Sequence, residues 1–122
     1  MCDVLVLDDD DGVRVTLAAV LEMEGWTVRE ARDPADALAI LSVPGACKLL
    51  VTDINLGTPQ DGFAVADQAR SLLPDMPVIY VSGRPWIFAE HHLAQDERAL
   101  AKPFRSEELT DAVRELLHHT VH

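Results

Sequence analysis

The sequence predicts an α/β fold in which a five-stranded parallel sheet carries helices on both faces. Five short apolar runs alternate along the chain with segments in which apolar residues recur every three or four positions. This alternation builds a parallel sheet with right-handed crossovers. The first run, Val4-Leu5-Val6-Leu7, is continuously apolar, as expected for a strand buried on both faces. In such sheets the ligand crevice lies outside the carboxyl ends of the strands.

The first two strand–helix units are marked by clear start and stop signals. After the strand over 4–7, apolar residues recur with helical spacing at positions 13, 17, 20 and 21, and Gly25 suits a left-handed cap at the end of this helix. A second strand is predicted over 26–30. Asp33-Pro34 suits an N-cap followed by the first helical position, so the second helix begins there and ends at Pro44-Gly45.

The remaining units follow the same pattern. Strands are predicted over 49–52, 77–81 and 99–101. The third helix carries apolar residues at positions 65, 69, 72 and 73, a weakly patterned helix covers 86–93, and Ser106 caps the last helix. The whole chain is therefore expected to be a single domain over 1–122.

Composition excludes two classes of partner. Ten lysines and arginines against 21 aspartates and glutamates give a formal net charge of −11, which disfavours binding to nucleic acid and to anionic membranes. No apolar segment reaches the ~20 residues that span a bilayer, and the first strand starts too close to Met1 to leave room for a signal peptide. We therefore expect a cytoplasmic protein. Cys2 and Cys47 lack metal-binding spacing, so reduced, partly buried thiols are expected rather than a disulfide.

Acidic residues follow two of the predicted strands. Asp8 and Asp9 come directly after the first strand, and Asp53 comes after the third. The carboxyl ends of parallel strands meet at one edge of the sheet, so these carboxylates should converge and repel one another unless a divalent cation lies among them. We predict Mg²⁺ (or Mn²⁺) at this position. Of Asp10 and Asp11, one is instead expected to begin the first helix and the other to lie exposed near its positive end.

Three residues at strand ends suggest phosphoryl transfer. Asp53 lies alone beyond its strand, where a carboxylate oxygen can attack a phosphorus atom in line. Lys102 supplies a compact positive charge after the fifth strand, and the Ser82 hydroxyl after the fourth can hydrogen-bond a phosphoryl oxygen. Lysine and serine are commonplace alone, but their positions at successive strand ends make them specific. Pro103 indicates a constrained turn, in which a cis peptide would aim Lys102 inward.

These residues resemble the receiver domain of the two-component response regulator family, of the chemotaxis-regulator-like, single-domain kind, over essentially the whole chain. The stretches that carry the resemblance are VLVLDDD at 4–10, LVTD at 50–53, Asp61-Gly62, VIYVSG at 78–83 and Lys102-Pro103-Phe104. The resemblance implies a flavodoxin-like sheet with strand order 2-1-3-4-5.

The resemblance also implies a set of residue roles. Asp8, Asp9 and Asp53 would hold the metal together with the main-chain carbonyl of Asn55. Asp53 would accept a phosphoryl group from a phosphohistidine, and Ser82 and Lys102 would contact that group. Asn55 and Arg84, two residues beyond Asp53 and Ser82, resemble positions that tune the phosphoryl lifetime. Arg84 either pairs with phosphate or is a solvated turn residue.

The implied partners are proteins. A sensor histidine kinase or a histidine phosphotransferase would donate the phosphoryl group, and a downstream protein would be the target, with no direct nucleic-acid contact and no membrane insertion. Phosphorylation would change contacts on the face formed by the helix predicted over 86–93, the fifth strand and the last helix. The domain would assist its own phosphorylation and slow dephosphorylation without being an enzyme in the usual sense.

Val13 and Thr16, beside Pro103-Phe104, form a predicted kinase-docking patch above Asp53. The alternative is that Val13 belongs only to the core.

Two features depart from the family pattern. Gly57-Thr58-Pro59-Gln60 makes the loop before Asp61-Gly62 one residue longer than usual. Ala99 stands three positions before the lysine, where the family commonly carries an aromatic residue that couples phosphate to the surface. That coupling cannot operate here in its usual form. Trp86 and Phe88 either replace this aromatic residue, pack the helix that follows, or form a partner patch.

Two other functions fit parts of the sequence. Asp9-Asp10-Asp11-Gly12-Val13 resembles the Asp-x-Asp-Gly signature of haloacid-dehalogenase-type phosphatases. It would make Asp9 the nucleophile but leaves Asp53 unexplained. Ala99 favours a phosphorylation-independent interaction module with a vestigial pocket, although all the acidic and basic pocket residues are present.

Overall fold

The computed structural model describes residues 2–43, 45–57, 59–84, 86 and 93–120. Within these ranges the strands are β1 Cys2–Leu7, β2 Val28–Ala31, β3 Cys47–Asp53, β4 Val78–Ser82 and β5 Glu97–Ala101. The helices are α1 Asp11–Met23, α2 Pro34–Leu41, α3 Gly62–Leu72 and α4 Ser106–Thr120. The helix predicted over 86–93, including Phe88, lies outside the described residues except for its two end positions.

The strands form one parallel sheet in the order β2-β1-β3-β4-β5, which confirms the predicted fold and strand order. Leu7 of β1 pairs with Thr52 of β3, and the next residue of β3, Asp53, pairs with Val81 of β4. Ser82 pairs in turn with Ala101 at the end of β5. The last residues of four strands therefore lie side by side along one edge of the sheet.

Apolar side chains cover both faces of the sheet. Leu5 and Leu7 point into a cluster formed with α2 and α3, whereas Val4 and Val6 point into a second cluster formed with α1 and α4. All four side chains are fully buried, so the continuously apolar run of β1 is explained by burial on both faces. The two clusters thus pack against opposite faces of the sheet behind its carboxyl edge.

The helix ends follow local sequence signals. Three aspartates cap helices by accepting main-chain N–H groups of the first turn: Asp10 from Val13, Asp33 from Asp36 and Asp61 from Ala64. Gly25 has a φ of +96° just after α1, as the predicted left-handed cap requires. Ser106 is the first residue of α4 and does not precede it. None of the helices in the described ranges is both long and apolar enough to cross a membrane.

Packing differs from the sequence pattern in two helices. The buried residues of α1 are Arg14, Leu17, Ala18 and Leu21, whereas Val13 and Val20 of the predicted stripe are only half-buried. In α3, Leu72 is 49% exposed although it continues the apolar pattern of that helix. Tertiary contacts, and not the apolar pattern alone, decide which side of each helix is buried.

Cys2 and Cys47 form a disulfide, so the expectation of two reduced thiols is wrong. The two cysteines are register partners on the adjacent strands β1 and β3. Their Cα atoms lie 4.6 Å apart, within the range that a disulfide spans. The 45 residues between them in the sequence conceal this proximity, since the spacing of two cysteines does not show which strands will be neighbours.

Candidate functional site

Three carboxylates meet at the carboxyl edge of the sheet. Asp8 follows β1 and is 1% exposed, Asp53 ends β3 and is 9% exposed, and Asp9 is exposed. One oxygen from each of them lies within 4.8 Å of the other two. The predicted convergence of these three residues is thus present in the structure.

Asp8 is the most deeply placed acid of this cluster. Its Oδ1 accepts the main-chain N–H of Asp10 at 2.9 Å. Its Oδ2 is buried and has no hydrogen-bond donor among the described residues, although Lys102 Nζ lies 3.6 Å away. Burial raises the pKa of Asp8 above its usual value, the Asp10 hydrogen bond and Lys102 oppose this rise, and the charges of Asp53 and Asp9 add to it.

Asp53 is held by two donors. Its Oδ1 accepts the main-chain N–H of Asn55 at 3.2 Å, and its Oδ2 accepts Lys102 Nζ at 3.2 Å. Lys102 therefore lies between Asp53 and Asp8 and offsets part of the negative charge of the cluster. The peptide bond between Lys102 and Pro103 is cis, as the sequence suggested.

The donor set fits a hard divalent cation. Mg²⁺ prefers oxygen ligands and binds proteins through one or two carboxylates while keeping several waters. Asp8 Oδ2 is a buried carboxylate oxygen without a hydrogen bond inside the described part of the chain, and such an atom is costly unless a cation or solvent satisfies it. Asp8, Asp9 and Asp53 would hold the ion, and the N–H of Asn55 fixes the adjoining main chain beside Asp53.

Ser82 lies at the end of β4, on the strand next to Asp53. It is 1% exposed, its Oγ accepts the main-chain N–H of Arg84 at 2.9 Å, and its carbonyl accepts the N–H of Lys102 at 2.8 Å. The side chain of Arg84 is exposed. Ser82 is thus fixed between Asp53 and Lys102 along the strand edge.

The Asp61-Gly62 pair closes the loop that follows Asp53. The Gly62 N–H donates to the Ile54 carbonyl at 2.8 Å, which brings the start of α3 against the end of β3. A Cβ atom at position 62 would lie 2.5 Å from the carbonyl oxygen of Asp53. Only glycine fits this close approach, so the pair fixes the main chain beneath Asp53.

A groove of about 650 Å³ runs between α1 and the segment after β5. Val13, Thr16, Pro103 and Phe104 all line it, together with Leu17, Val20 and Leu109. The structure therefore brings together the four residues of the predicted docking patch. Val13 is half-buried and packs on the apolar cluster under α1 and α4, so it contributes to the core as well as to the groove.

The family sequence model described as the response regulator receiver domain matches residues 4–114 of this chain. The chain belongs to this family. Receiver domains are the phosphoacceptor modules of two-component signalling. The chain is also similar to the response regulator MprA of Mycobacterium ulcerans, with 37% identity over 123 residues that cover 96% of this chain and 50% of that protein. It thus spans about half the length of that relative.

Solved receiver structures share the same architecture. A response regulator receiver protein from Sinorhizobium medicae WSM419 superposes with a TM-score of 0.86 at 32% identity, covering 95% of this chain and 94% of that one. The response regulator TrrA from Thermotoga maritima, solved in complex with Mg²⁺-BeF, gives 0.83 at 27% identity and covers 95% and 99%. Both superpositions agree with the receiver fold of this chain.

The receiver domain also contains a buried polar cluster that the sequence did not reveal. The hydroxyl of Tyr80 donates to Glu97 Oε2 at 2.7 Å, the N–H of Ala94 donates to Glu97 Oε1 at 2.7 Å, and Arg70 Nη1 lies 3.5 Å from Glu97 Oε2. Ala99 is the register partner of Tyr80 on β5. Glu97 is the first residue of β5 but lies two residues before the strand predicted over 99–101, so the predicted strand did not include this acid.

Arg14 is a second residue that the apolar pattern overlooks. It lies on the stripe of α1 that is spaced i, i+3, i+4 and i+7 with Leu17, Ala18 and Leu21, and this spacing was a usable signal for burial. Burial alone would lower the pKa of its guanidinium, but hydrogen bonds to Asp11 and Glu30 outweigh that effect and raise it.

The phosphatase alternative does not agree with this geometry. Asp10 caps α1, and Asp11, the second acid of the Asp-x-Asp signature, is paired with Arg14 at 2.6 Å. Both carboxylates are therefore engaged in contacts within the first turn of α1. The match over residues 4–114 is to the receiver family, which favours the receiver interpretation over the phosphatase one.

Proposed function

We propose that this receiver domain is a phosphoacceptor switch in which Asp53 takes a phosphoryl group from a phosphohistidine in a Mg²⁺-dependent reaction. The observation that carries the proposal is the cluster of Asp8, Asp9 and Asp53, whose oxygens approach within 4.8 Å, with Lys102 Nζ reaching both Asp53 and Asp8. Three acids with one lysine at a strand edge suit in-line phosphoryl transfer better than they suit a merely structural role.

In the proposed reaction, a carboxylate oxygen of Asp53 forms a bond to phosphorus while the phosphorus–nitrogen bond of the donor histidine breaks. Mg²⁺ bound by the cluster, or Mn²⁺ in its place, would neutralise charge on the phosphoryl oxygens. Lys102 already contacts Asp53 Oδ2 and would turn to the incoming phosphoryl group, while the Ser82 hydroxyl would exchange the Arg84 N–H for a phosphoryl oxygen. Hydrolysis of the acyl phosphate would return Asp53 slowly, at a rate tuned by Asn55 and Arg84.

The donor would be a sensor histidine kinase or a histidine phosphotransferase that docks in the groove between α1 and the segment after β5. Val13, Thr16, Pro103 and Phe104 line that groove on the side of the molecule where Lys102 reaches Asp53. The downstream target would be a protein that binds the face containing β5 and α4. We place this exchange in the cytoplasm, without direct contact to nucleic acid.

Intact-mass spectrometry after incubation with a small phosphodonor tests the proposal. With acetyl phosphate and Mg²⁺, the parent protein should gain about 80 Da, the mass of one phosphoryl group. Asp53→Asn should show no such adduct, and omission of the metal should abolish it in the parent. If several donors give no Asp53-dependent adduct, the switch proposal fails.

A second candidate is an interaction module that works without phosphorylation. Ala99 favours it, because an alanine opposite Tyr80 on β5 offers no aromatic ring to follow the phosphoryl group. Beryllofluoride, a phosphoryl mimic, distinguishes the two functions in a partner pull-down. A working switch should change its affinity for the captured partner when the mimic binds, whereas a vestigial pocket should leave the affinity unchanged.

A further inference from the structure

Arg14 makes a separate contact with each of its three guanidinium nitrogens. Nη1 donates to the main-chain carbonyl of Asp8 at 3.0 Å, Nε donates to Glu30 Oε1 at 3.1 Å, and Nη2 donates to Asp11 Oδ1 at 2.6 Å. Its side chain is only 9% exposed. The planar fork of arginine is suited to holding several acceptors in fixed positions.

The first of these contacts links Arg14 to the acidic cluster. The Asp8 carbonyl belongs to the peptide that joins Asp8 to Asp9, so the guanidinium donates a hydrogen bond to the main chain between two of the three acids in the cluster. On the other side of the loop, Asp8 Oδ1 is bound by the N–H of Asp10. These two anchors leave Asp8 Oδ2 as the buried oxygen that lacks a hydrogen bond within the described ranges.

An apolar residue at position 14 would pack with Leu17, Ala18 and Leu21 on the buried side of α1 without placing a charge there. Replacing buried ion pairs by apolar residues is often neutral or stabilising, so stability gives little reason for an arginine here. Glu30 and Asp11 offset its charge, but only the Asp8 contact links it to the cluster.

We propose that Arg14 is a positioning residue for the metal: it holds the Asp8–Asp9 peptide so that both carboxylates face Asp53, and it thereby raises the affinity of the cluster for a divalent cation. This inference rests on the proposed function, because it assumes that the cluster binds Mg²⁺. Residues that orient metal ligands from behind typically change metal affinity by about 10- to 100-fold when they are replaced.

The sign of the effect separates positioning from simple electrostatics. A positive charge near a metal site repels the metal, so removing Arg14 should tighten Mg²⁺ binding if only its charge matters. If Arg14 orients the carboxylates, its removal should weaken binding by about 10-fold or more. Arg14→Gln removes the charge and most of the contacts, and Arg14→Lys keeps the charge but lacks the planar fork whose three nitrogens reach three separate acceptors.

Arg70 offers a matched control. Its guanidinium also binds a main-chain carbonyl, that of Met76, and forms ion pairs with Asp96 and Glu97. Arg70→Gln therefore removes a similar set of contacts from a helix on the other face of the sheet. It should lower stability without changing the Mg²⁺ affinity of the folded protein.

The experiment is an NMR titration of the folded, ¹⁵N-labelled proteins with MgCl₂ at constant ionic strength. The amide of Asp10, which donates to Asp8 Oδ1, is the reporter. We expect the dissociation constant to rise about 10-fold in Arg14→Gln, to rise by less in Arg14→Lys, and to match the parent in Arg70→Gln. Thermal melts of each variant establish that the folded state is being titrated.

Each result decides between the proposals. If the parent binds Mg²⁺ and Arg14→Gln binds it equally well or more tightly, the Arg14 inference is overturned while the metal site stands. Equal weakening in Arg70→Gln also overturns it, because the effect would then come from general loosening. If the parent does not bind Mg²⁺, the metal site itself fails, and the role of Arg14 fails with it. If Arg14→Gln does not fold, an unchanged affinity in Arg14→Lys overturns the inference.

Discussion

Replacing Gly62 with alanine should distort the main chain that carries Asp53. A Cβ atom at this position would lie 2.5 Å from the Asp53 carbonyl oxygen and 2.8 Å from the Ile54 Cα. The first distance is about 0.9 Å short of the 3.4 Å at which ordinary contact begins. Both neighbours are main-chain atoms, so no rotation of a side chain can relieve the overlap. Either the start of α3 or the end of β3 must move.

The expected cost follows from these contacts. Forcing extra atoms into a packed site costs about 1–3 kcal/mol, and separating α3 from β3 weakens the hydrogen bond from the Gly62 N–H to the Ile54 carbonyl, worth about 1 kcal/mol. Alanine recovers roughly 0.5–1 kcal/mol of backbone entropy. A net loss of about 2 kcal/mol should lower the melting temperature by roughly 8 °C for a domain of this size.

Calorimetry of Gly62→Ala and Gly83→Ala tests this reasoning. A Cβ atom at Gly83 would meet nothing within 4 Å, so Gly83→Ala should melt close to the parent. The displaced main chain should also slow the formation of the Asp53 adduct with acetyl phosphate in Gly62→Ala. Equal melting temperatures for the two variants would refute the close-approach argument.

Three further predictions concern buried groups. Reducing the Cys2–Cys47 disulfide should lower the free energy of unfolding by about 4 kcal/mol, from the chain entropy of the closed loop, and melts with and without reductant measure this; no change would contradict it. Tyr80→Phe removes a donor from the buried Glu97 carboxylate and should lower the free energy of unfolding, measured in urea, by about 1–3 kcal/mol. An unchanged free energy of unfolding would contradict this. Since the pKa of Asp8 is raised by burial, Asp8→Asn should melt higher than the parent without metal and gain less from added MgCl₂.

The acidic cluster could be predicted because each of its residues follows a strand that a short stretch of sequence identifies. A buried parallel strand ends where its apolar run ends, so Asp8 and Asp53 had to lie at the same edge of the sheet once the strands were recognised. The predicted cap at Asp33 is equally local, since a short acceptor side chain meets N–H groups of the next turn. Such features depend on a few consecutive residues.

The roles of Arg14 and Glu97 were missed because their partners are distant in the sequence or belong to the main chain. Arg14 binds a carbonyl and Glu30, which comes from the neighbouring strand β2. Glu97 meets Tyr80 only because β4 and β5 pair in the observed register. An apolar pattern shows that a position is buried, but it cannot show which polar group will be buried opposite it.

The sequence by itself therefore determined the order along the chain of the strands and helices that the structure describes, the edge at which the acids gather and the lysine that opposes them. Only the tertiary structure decided that Cys2 faces Cys47, that Gly62 has no room for a side chain, and that the Arg14 guanidinium donates a hydrogen bond to the main chain between Asp8 and Asp9. The physical reason is the range of the interactions. Hydrophobic periodicity and capping act over a few residues, whereas register and close packing arise from segments that meet only when the sheet has formed.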